Sequence, residues 1–345
     1  MYKYFKHFAL NSAHQLGVLR GIHHFDTSYT SSLYVLVYHR VDWQNSQPRL
    51  DPQNLSATPE QFEQQMRLIS NEYHPVSAET ILEALLYNKK LPPRSVLITV
   101  DDGYRDFKNY IWPIAHRYGI RPVLFVPTAY VGGGVFWWDQ LYDALQRTVL
   151  SQVNTPIGML SLNNLSDRRY AFAQIAQYMK KSPFNQAFTM LSDLCQELVS
   201  EPFSDGRVTL DWDDLRELAN AGVTVAPHTH NHPALGNIDL EQVRFEISES
   251  QRLIMREIGS GSHNYLFAYP YGSRSAVGTI AGEILRNSGF QLAFTMNPGR
   301  ANLNYDDRMY LPRIESNTQL TIAQLHAKLN PFFDFLTRKR QTAFL

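Results

Sequence analysis

Cysteine is almost absent from this chain of 345 residues, in which Cys195 is the only one. A single thiol excludes an internal disulfide and any zinc site built from several cysteines. We therefore interpret Cys195 as part of the hydrophobic core rather than as a nucleophile. Its isolation also fits a reducing compartment.

The sequence also lacks an excess of charge and any long apolar run. Lys plus Arg and Asp plus Glu each total 32, so the formal net charge is zero. Without a basic field, we expect no binding to nucleic acid or to an anionic membrane. No segment approaches the roughly 18 to 20 apolar residues of a transmembrane segment, and positions 1–21 lack the apolar core of a signal peptide. We therefore expect a cytoplasmic protein.

Seven short apolar runs predict the strands of a mainly parallel sheet. Helical patterns separate them, which is typical of repeated βα units. Each run is nearly continuous in its apolar character, as expected for strands that are buried on both faces. The runs occupy positions 34–38, 96–100, 123–126, 223–226, 265–269, 291–295 and 310–314.

Capping residues predict where several helices begin and end. Thr58, Pro59 and Gln61 form a capping-box pattern that opens a helix running to about residue 70. Asp239 with Gln242 opens another, running to about residue 258. Three helical segments end in a glycine just before a strand, at Gly119, Gly222 and Gly289.

One interval is too long for a common βα connection and predicts an insertion. It lies between the third and fourth strands, and positions 138–198 have mostly helical patterns. We predict a helical insertion over about 138–210 that covers one face of the barrel or sheet. The remaining boundaries are an N-terminal helical extension at 1–31, a main domain at 32–320 and a C-terminal helix at 321–345.

Polar side chains follow five of the predicted strands, at the carboxyl end of each. Active sites of α/β barrels are built at this rim, so we expect these side chains to converge. They are His39 after the first strand, Asp101 and Asp102 after the second, His228, His230 and His232 after the fourth, Pro270 and Tyr271 after the fifth, and Arg313 in the last.

The histidines and acids together predict a metal centre. His228 and His232 are four residues apart, so one tight turn can direct both rings to one point while His230 points elsewhere. Two imidazoles and one carboxylate suit a divalent ion and leave positions open for water and substrate. A solvated turn for the acids, or buried capping histidines, remain alternatives. A two-carboxylate glycosidase is disfavoured, because adjacent acids do not easily lie about 5 to 9 Å apart across a sugar.

These residues resemble the motifs of a known family, the polysaccharide deacetylases (carbohydrate esterase family 4, NodB homology domain). Residues 99–103, T-V-D-D-G, resemble the family's T-F-D-D-G motif, and residues 228–232 resemble its H-S/T-x-x-H motif. Residues 210–215, which include Trp212, are similar to its tryptophan-bearing segment, and residues 267–272 resemble R-x-P-Y followed by glycine. The resemblance covers about residues 32 to 316.

The resemblance implies a distorted (β/α)7 barrel and metal-dependent hydrolysis of an N-acetyl group from an amino sugar. It assigns Asp102, His228 and His232 to a divalent metal, with Zn²⁺ as the expected ion, and Asp101 as the general base. The expected substrate is an N-acetylated oligosaccharide, a polysaccharide or a lipid-linked glycan precursor.

Two departures from the family pattern affect the predicted site. Ala268 stands where the family commonly has the arginine that orients the catalytic aspartate, and we hypothesise that Arg313 replaces it. The late L-x-H motif, which supplies an acid histidine, is not evident. Residues 37–41 instead resemble the Y-H motif of a permuted subgroup similar to the poly-N-acetylglucosamine deacetylases, so we assign the proton donor to His39.

The remaining assignments concern the substrate. The backbone N–H of Tyr271, beside Pro270, is expected to stabilise the oxyanion, although both residues could simply shape a turn. Trp212 and Trp138 are candidates for stacking on sugar rings, although large aromatic residues are more often part of a core. Two other functions stay open: a non-catalytic sugar-binding barrel, which Ala268 and the missing late histidine favour, and an amidohydrolase that acts on a non-sugar amide.

Overall fold

The computed structural model describes residues 32–201, 203, 208–259, 261 and 265–330. The predicted N-terminal helix at 1–31 and most of the predicted C-terminal helix, beyond residue 330, lie outside the described residues. None of the helices in the described part of the chain is long and apolar enough to cross a membrane.

Seven parallel strands form a nearly closed barrel. They are β1 (Ser32–Tyr38), β5 (Ser95–Val100), β6 (Val123–Val126), β9 (Thr224–Pro227), β10 (Leu266–Ala268), β11 (Leu292–Pro298) and β13 (Leu311–Glu315). Their order around the sheet is β10, β11, β13, β1, β5, β6, β9, and the end strands β9 and β10 lie beside each other. All seven predicted strands are confirmed, and so is the distorted (β/α)7 barrel.

Short strands extend this framework. Strand β4 (His74–Pro75) pairs with β5 in parallel, and β12 (Ala301–Asn302) pairs with β1 in the antiparallel direction. Strands β2 (Arg40–Val41) and β3 (Leu55–Ala57) form a separate pair beside the end of β1.

The helices follow the capping signals of the sequence. The helix after Thr58 begins with a complete capping box, Asp239 caps the helix that follows it, and Gly119, Gly222 and Gly289 all have positive φ at helix ends. The helices are α1 (Pro59–Glu72), α2 (Ala78–Leu86), α3 (Trp112–Arg117), α4 (Trp137–Arg147), α5 (Leu165–Lys181), α6 (Phe184–Leu198), α7 (Trp212–Asn220), α8 (Leu240–Glu257), α9 (Arg274–Val277), α10 (Ala281–Asn287) and α11 (Ile322–Lys328).

The inserted segment contains a hairpin as well as helices, which corrects the prediction of a helical insertion. Strands β7 (Gln152–Thr155) and β8 (Gly158–Ser161) pair in the antiparallel direction between α4 and α5. Val153 and Leu160 are paired in this hairpin and both are buried, while most of the neighbouring positions are exposed. This alternation is the pattern of a half-buried strand rather than of a helix.

The barrel and its insertion have separate hydrophobic cores. Side chains from all seven barrel strands, such as Val35, Leu97 and Phe294, join one buried cluster inside the barrel. The insertion has its own core from α4, α5, α6 and the hairpin, and Tyr104 joins it from the loop after β5. Because Tyr104 follows Asp101 and Asp102 closely in the chain, the insertion packs against the rim that carries them.

Candidate metal-dependent hydrolase site

The carboxyl ends of the barrel strands surround a cavity of about 320 Å³. Its lining includes His39 after β1, Asp102 after β5, His232 after β9 and Tyr271 after β10. The structure thus brings the polar residues of separate strands together at one rim, as the sequence predicts. One wall comes from the insertion, through Trp137 and Trp138 at the start of α4.

Asp102, His228 and His232 offer three ligand atoms that lie within 4.8 Å of one another. Asp102 Oδ1 is 3.3 Å from His232 Nε2 and 3.7 Å from His228 Nε2, and all three side chains are buried. Asp102 and His232 both have left-handed backbone conformations, with φ of 76° and 59°. Such conformations cost free energy outside glycine and recur where a functional geometry requires them.

A backbone carbonyl orients the first of the two histidines. His228 Nδ1 lies 2.8 Å from the carbonyl oxygen of Ala268, which can only accept, so Nδ1 carries the proton and Nε2 faces Asp102. Burial lowers the pKa of His228 to about 4, which favours the neutral imidazole that binds metals. Ala268 therefore takes part in the site through its backbone carbonyl.

Aromatic rings enclose the second histidine. The rings of Phe136, Trp138 and Tyr271 lie edge-on to His232, at centroid distances of 5.9, 5.1 and 5.3 Å. Trp138 is held in turn by its indole N–H, which donates to the Tyr104 hydroxyl at 2.8 Å. Trp138 thus lines the cavity and also packs directly on a metal-ligand candidate.

The three residues fit a divalent metal ion. Asp102 Oδ1 is buried and has no hydrogen-bond partner among the described residues, which is costly for a carboxylate oxygen unless a cation is bound there. Two imidazole nitrogens and one carboxylate oxygen form a donor set that zinc and similar ions accept in catalytic sites. Burial acts to raise the pKa of Asp102, but His232, His39 and His228 lower it to about 2.

Arg313 forms a buried ion pair with Asp101. Its two terminal nitrogens donate to the two carboxylate oxygens of Asp101 at 2.8 and 2.7 Å, and both side chains are buried. Nε of Arg313 also donates to the carbonyl of Thr295 at 3.0 Å. Burial acts to raise the pKa of Asp101, but Arg313 and His228 hold it below its usual value, so the carboxylate is ionised.

The substrate residues predicted from the sequence divide into two groups. Pro270 and Tyr271 line the cavity, and the Tyr271 hydroxyl accepts a hydrogen bond from Trp137 at 3.3 Å. Trp212 is not in this lining. It lies at the first residue of α7 and packs against the apolar cluster between the barrel and its helices, so its position does not support stacking on a sugar in this cavity.

His230 is turned away from the candidate ligands, as the spacing predicts. Its Nδ1 lies 2.8 Å from the Thr128 hydroxyl, and its ring packs edge-on to Phe245 of α8. Thr229, between the candidate ligands, is buried and also has a positive φ of 66°. The backbone around His230 is therefore bent tightly, which separates its side chain from those of His228 and His232.

A buried carboxylate that the sequence motifs do not include, Glu246, holds this loop. Glu246 Oε2 accepts hydrogen bonds from the backbone N–H groups of His230 and Asn231 at 2.8 and 2.7 Å, and Oε1 accepts from the Asn231 side chain at 2.8 Å. Glu246 is one of several acids along α8, and its helical position puts it on the face that also buries Val243 and Ile247. An acid at an otherwise apolar position of this helix face is the sequence feature that indicates a buried carboxylate.

A second buried carboxylate, Asp139, connects the insertion to the rim. It accepts from the Tyr104 hydroxyl at 2.6 Å and from the backbone N–H of Asp51 at 2.7 Å. Burial raises the pKa of Asp139 to about 7. Asp139 thus fixes Tyr104, which holds Trp138 against His232.

Comparison with known proteins gives a family match across the barrel. The family model described as polysaccharide deacetylase matches residues 88–292, more than half of the chain. The poly-beta-1,6-N-acetyl-D-glucosamine N-deacetylase of Escherichia coli (strain K12) is 25% identical over 309 residues, which cover 82% of this chain and 36% of that protein. The chain therefore spans about a third of the length of the curated Escherichia coli relatives that it matches.

Solved structures share the fold. The Streptococcus pyogenes deacetylase PplD, solved in complex with acetate, superimposes with a TM-score of 0.59 at 18% identity, covering 87% of this chain and 99% of that one. IcaB from Ammonifex degensii superimposes with a TM-score of 0.52 at 19% identity, covering 87% and 97%. With the motifs, the barrel and the family match together, this chain belongs to the polysaccharide deacetylase family.

Proposed function

We propose that the protein hydrolyses the N-acetyl group of an amino sugar within a glycan or glycan precursor, using a divalent metal ion, with zinc as the expected ion. The observation that carries the proposal is the pair of neighbouring carboxylates in different environments. Asp102 faces His228 and His232, whereas Asp101 is paired with Arg313. One carboxylate is thus available to a metal and the other to a water molecule.

Asp102, His228 and His232 would hold the metal ion. When bound, such an ion supplies a Lewis acid that polarises the acetamide carbonyl and lowers the pKa of a water molecule. Asp101, held ionised and oriented by Arg313, accepts the proton of the attacking water as its oxygen bonds to the carbonyl carbon. The tetrahedral oxyanion that results takes a hydrogen bond from the backbone N–H of Tyr271.

Collapse of this species breaks the C–N bond and needs a proton on the leaving nitrogen. His39 lines the same cavity from the end of β1, and its backbone N–H donates to the Ser56 hydroxyl at 2.8 Å. Its imidazolium gives the proton, and the products are acetate and a free amino sugar. Asp101 and His39 therefore act as separate base and acid.

The test is acetate release from N-acetylglucosamine oligomers by the zinc-loaded full chain, compared with Asp101→Asn and His39→Ala. Each variant should retain its zinc and lose turnover by about 10²- to 10⁴-fold, the usual contribution of a positioned acid or base. Wild-type turnover in Asp101→Asn would overturn the base assignment. A panel that includes non-sugar acetamides separates sugar chemistry from an amidohydrolase on another amide.

Two features favoured the alternative of a non-catalytic sugar-binding barrel: the absence of an arginine at Ala268 and the missing late histidine. Arg313 contacts Asp101 in the way that such an arginine would, and His39, which lines the cavity, is the proposed substitute for the histidine. Stoichiometric zinc without acetate release from any sugar would favour it. The cytoplasmic location remains a prediction, and fractionation of the native host tests it.

A further inference from the structure

The catalytic cavity continues into a second cavity of about 700 Å³. The two have a common boundary, whose residues line both: Gln53, Phe172, Ala176, Lys180, Tyr271 and Gly272. A ligand whose acetamide lies beside Asp102 and which is longer than one sugar ring can therefore extend past Tyr271 into the second cavity. The wall of this cavity that carries Lys180 belongs to α5 of the insertion.

The lining of the second cavity has one sign of charge. It contains the side chains of Lys180 and Lys181, the amides of Gln53, Gln177 and Asn237 and the hydroxyls of Ser273 and Ser275. The Asn237 amide donates one of its hydrogen bonds to the backbone carbonyl of Lys180. No carboxylate is among its described lining residues. Ammonium, amide and hydroxyl donors without an opposing acid are the groups that recognise phosphate or carboxylate.

Lys180 lies at the point where the two cavities meet. Its Nζ is 5.9 Å from the centre of the Tyr271 ring, and no carboxylate of the described residues forms an ion pair with it within 4.0 Å. Asp51, in the first cavity, acts on it only at longer range. Lys180 is exposed, so an anion can reach its ammonium group from solvent.

An alternative role for a lysine near the end of a helix is to stabilise that helix without binding a ligand. Lys180 and Lys181 are in the last turn of α5, where positive charge interacts favourably with the helix dipole. That role explains a basic residue at this position but not a cavity lined by two lysines and five other polar side chains. The two roles also make different predictions, because only a ligand site depends on the charge of the ligand.

We propose that the second cavity binds an anionic group, a phosphate or a carboxylate, that is attached to the substrate next to the N-acetyl sugar. Lys180 and Lys181 would be specificity-determining residues of this site. The inference deepens the proposed function and rests on it in one respect, since that function places the N-acetyl sugar beside Asp102. The preferred substrate is then a charged glycan or sugar phosphate rather than a neutral polymer.

Calorimetry on the zinc-loaded full chain tests this proposal in the Asp101→Asn background, which removes turnover. The probes are N-acetylglucosamine 1-phosphate, a disaccharide of N-acetylglucosamine and glucuronic acid, and the neutral methyl N-acetylglucosaminide. We expect an anionic probe to bind about tenfold more tightly than the neutral one, as one charge-assisted contact provides. Of the two anionic probes, the one whose affinity depends more strongly on the lysines shows whether the site binds phosphate or carboxylate.

The double variant Lys180→Gln/Lys181→Gln should remove this advantage and leave the neutral probe unchanged. Lys90→Gln is the matched control, because Lys90 is exposed and precedes β5, at the opposite end of the barrel. Equal affinity of the Asp101→Asn variant for all three probes would overturn the proposal. So would an anionic advantage that survives in the double variant, because the anion would then be bound by the metal.

Acetate release by the wild-type chain separates this proposal from the proposed function. If no sugar is deacetylated but the lysine-dependent anion binding persists, the deacetylase function fails and the anion site stands. If neutral oligomers are deacetylated and neither anionic probe has an advantage, the function stands and the anion site is wrong.

Discussion

Both nitrogens at the end of the Arg313 side chain donate to the carboxylate oxygens of Asp101, at 2.8 and 2.7 Å. The two residues are 212 positions apart in the sequence; Arg313 lies within β13, and Asp101 directly follows β5. Strand β1 lies between these strands, so the pair spans the rim across it. This ion pair fixes the direction of the Asp101 carboxylate, while the Asp102 carboxylate faces the histidines.

Replacement of Arg313 by lysine tests this relationship. A lysine keeps the charge but cannot make two parallel hydrogen bonds, so Asp101 should lose its fixed orientation. We expect kcat for acetate release to fall by about 10- to 100-fold, in line with the cost of misplacing a catalytic group. KM and the zinc content should change little, because Arg313 contacts none of the candidate metal ligands.

Arg286→Lys is the control for this substitution. Arg286 is also paired with an aspartate, Asp307, but both side chains are about half exposed on the surface. It should leave kcat unchanged. If Arg313→Lys kept wild-type kcat with a folded, zinc-loaded barrel, Arg313 would have no positioning role toward Asp101.

The three histidines of the 228–232 loop should differ in their effect on metal binding. His228→Ala and His232→Ala each remove a ligand, so zinc affinity should fall by more than the roughly 10- to 100-fold that loss of an outer partner costs. His230→Ala should retain about one zinc per chain, because its ring contacts Thr128 and Phe245 instead. Mass spectrometry of bound metal after gel filtration measures this, and equal loss in all three variants would contradict the ligand set.

The barrel was predictable because its strands carry their own signal. Most of the seven are short apolar runs that lead directly into polar residues, and this local pattern does not depend on the rest of the fold. The candidate ligands follow from the same fact, since parallel strands bring their carboxyl ends to one rim. The strand pattern alone therefore brings the acids and the histidines to one rim, whereas the choice of Asp102 as the metal-binding acid comes from the resemblance to the family motif.

Other parts of the site depend on packing that the sequence does not specify. The hairpin at Gln152–Thr155 and Gly158–Ser161 is short, and its alternation was masked by helical patterns on both sides. Trp212 matched a family segment, but its ring contributes to the core of the barrel layer rather than to the cavity. Lys180 comes from the insertion, and only the docking of α5 places it beside Tyr271.

Glu246 offers a test of how the ligand loop is held. Glu246→Gln keeps the size of the side chain but replaces one acceptor oxygen by an amide donor, which would face the donors of His230 or Asn231. The loop between His228 and His232 should then lose its fixed conformation. We expect zinc affinity to fall by about 10- to 100-fold, measured by competition with a chelator of known affinity.

Glu249→Gln is the matched control for this variant. Glu249 lies one turn further along α8 and pairs with Arg252 at the surface. It should leave zinc affinity unchanged. Wild-type zinc affinity in Glu246→Gln would mean that the loop keeps its conformation without this carboxylate.

A buried acid beside the rim predicts a specific dependence of stability on pH. Asp106 lies 3.3 Å from Arg40, and Asp42 pairs with the same guanidinium at 3.4 Å. Burial raises the pKa of Asp106 to about 7, against the opposing charge of Arg40, from an ordinary value of 3.8. Between these two values the folded chain binds more protons at this site than the unfolded chain, so the contribution of Asp106 to stability falls as pH rises.

Urea unfolding at pH values from about 4 to 8 measures this contribution as the difference between the wild type and Asp106→Asn. The free energy of unfolding of the wild type, relative to that of Asp106→Asn, should fall as pH rises from about 4 to about 7. Above that range this difference should stay constant, because Asp106 is ionised in both the folded and the unfolded state. Asp193→Asn, which changes an exposed carboxylate, is the control. A difference for Asp106→Asn that does not change with pH would show that Arg40 keeps Asp106 ionised throughout, and that burial is not the dominant influence on its pKa.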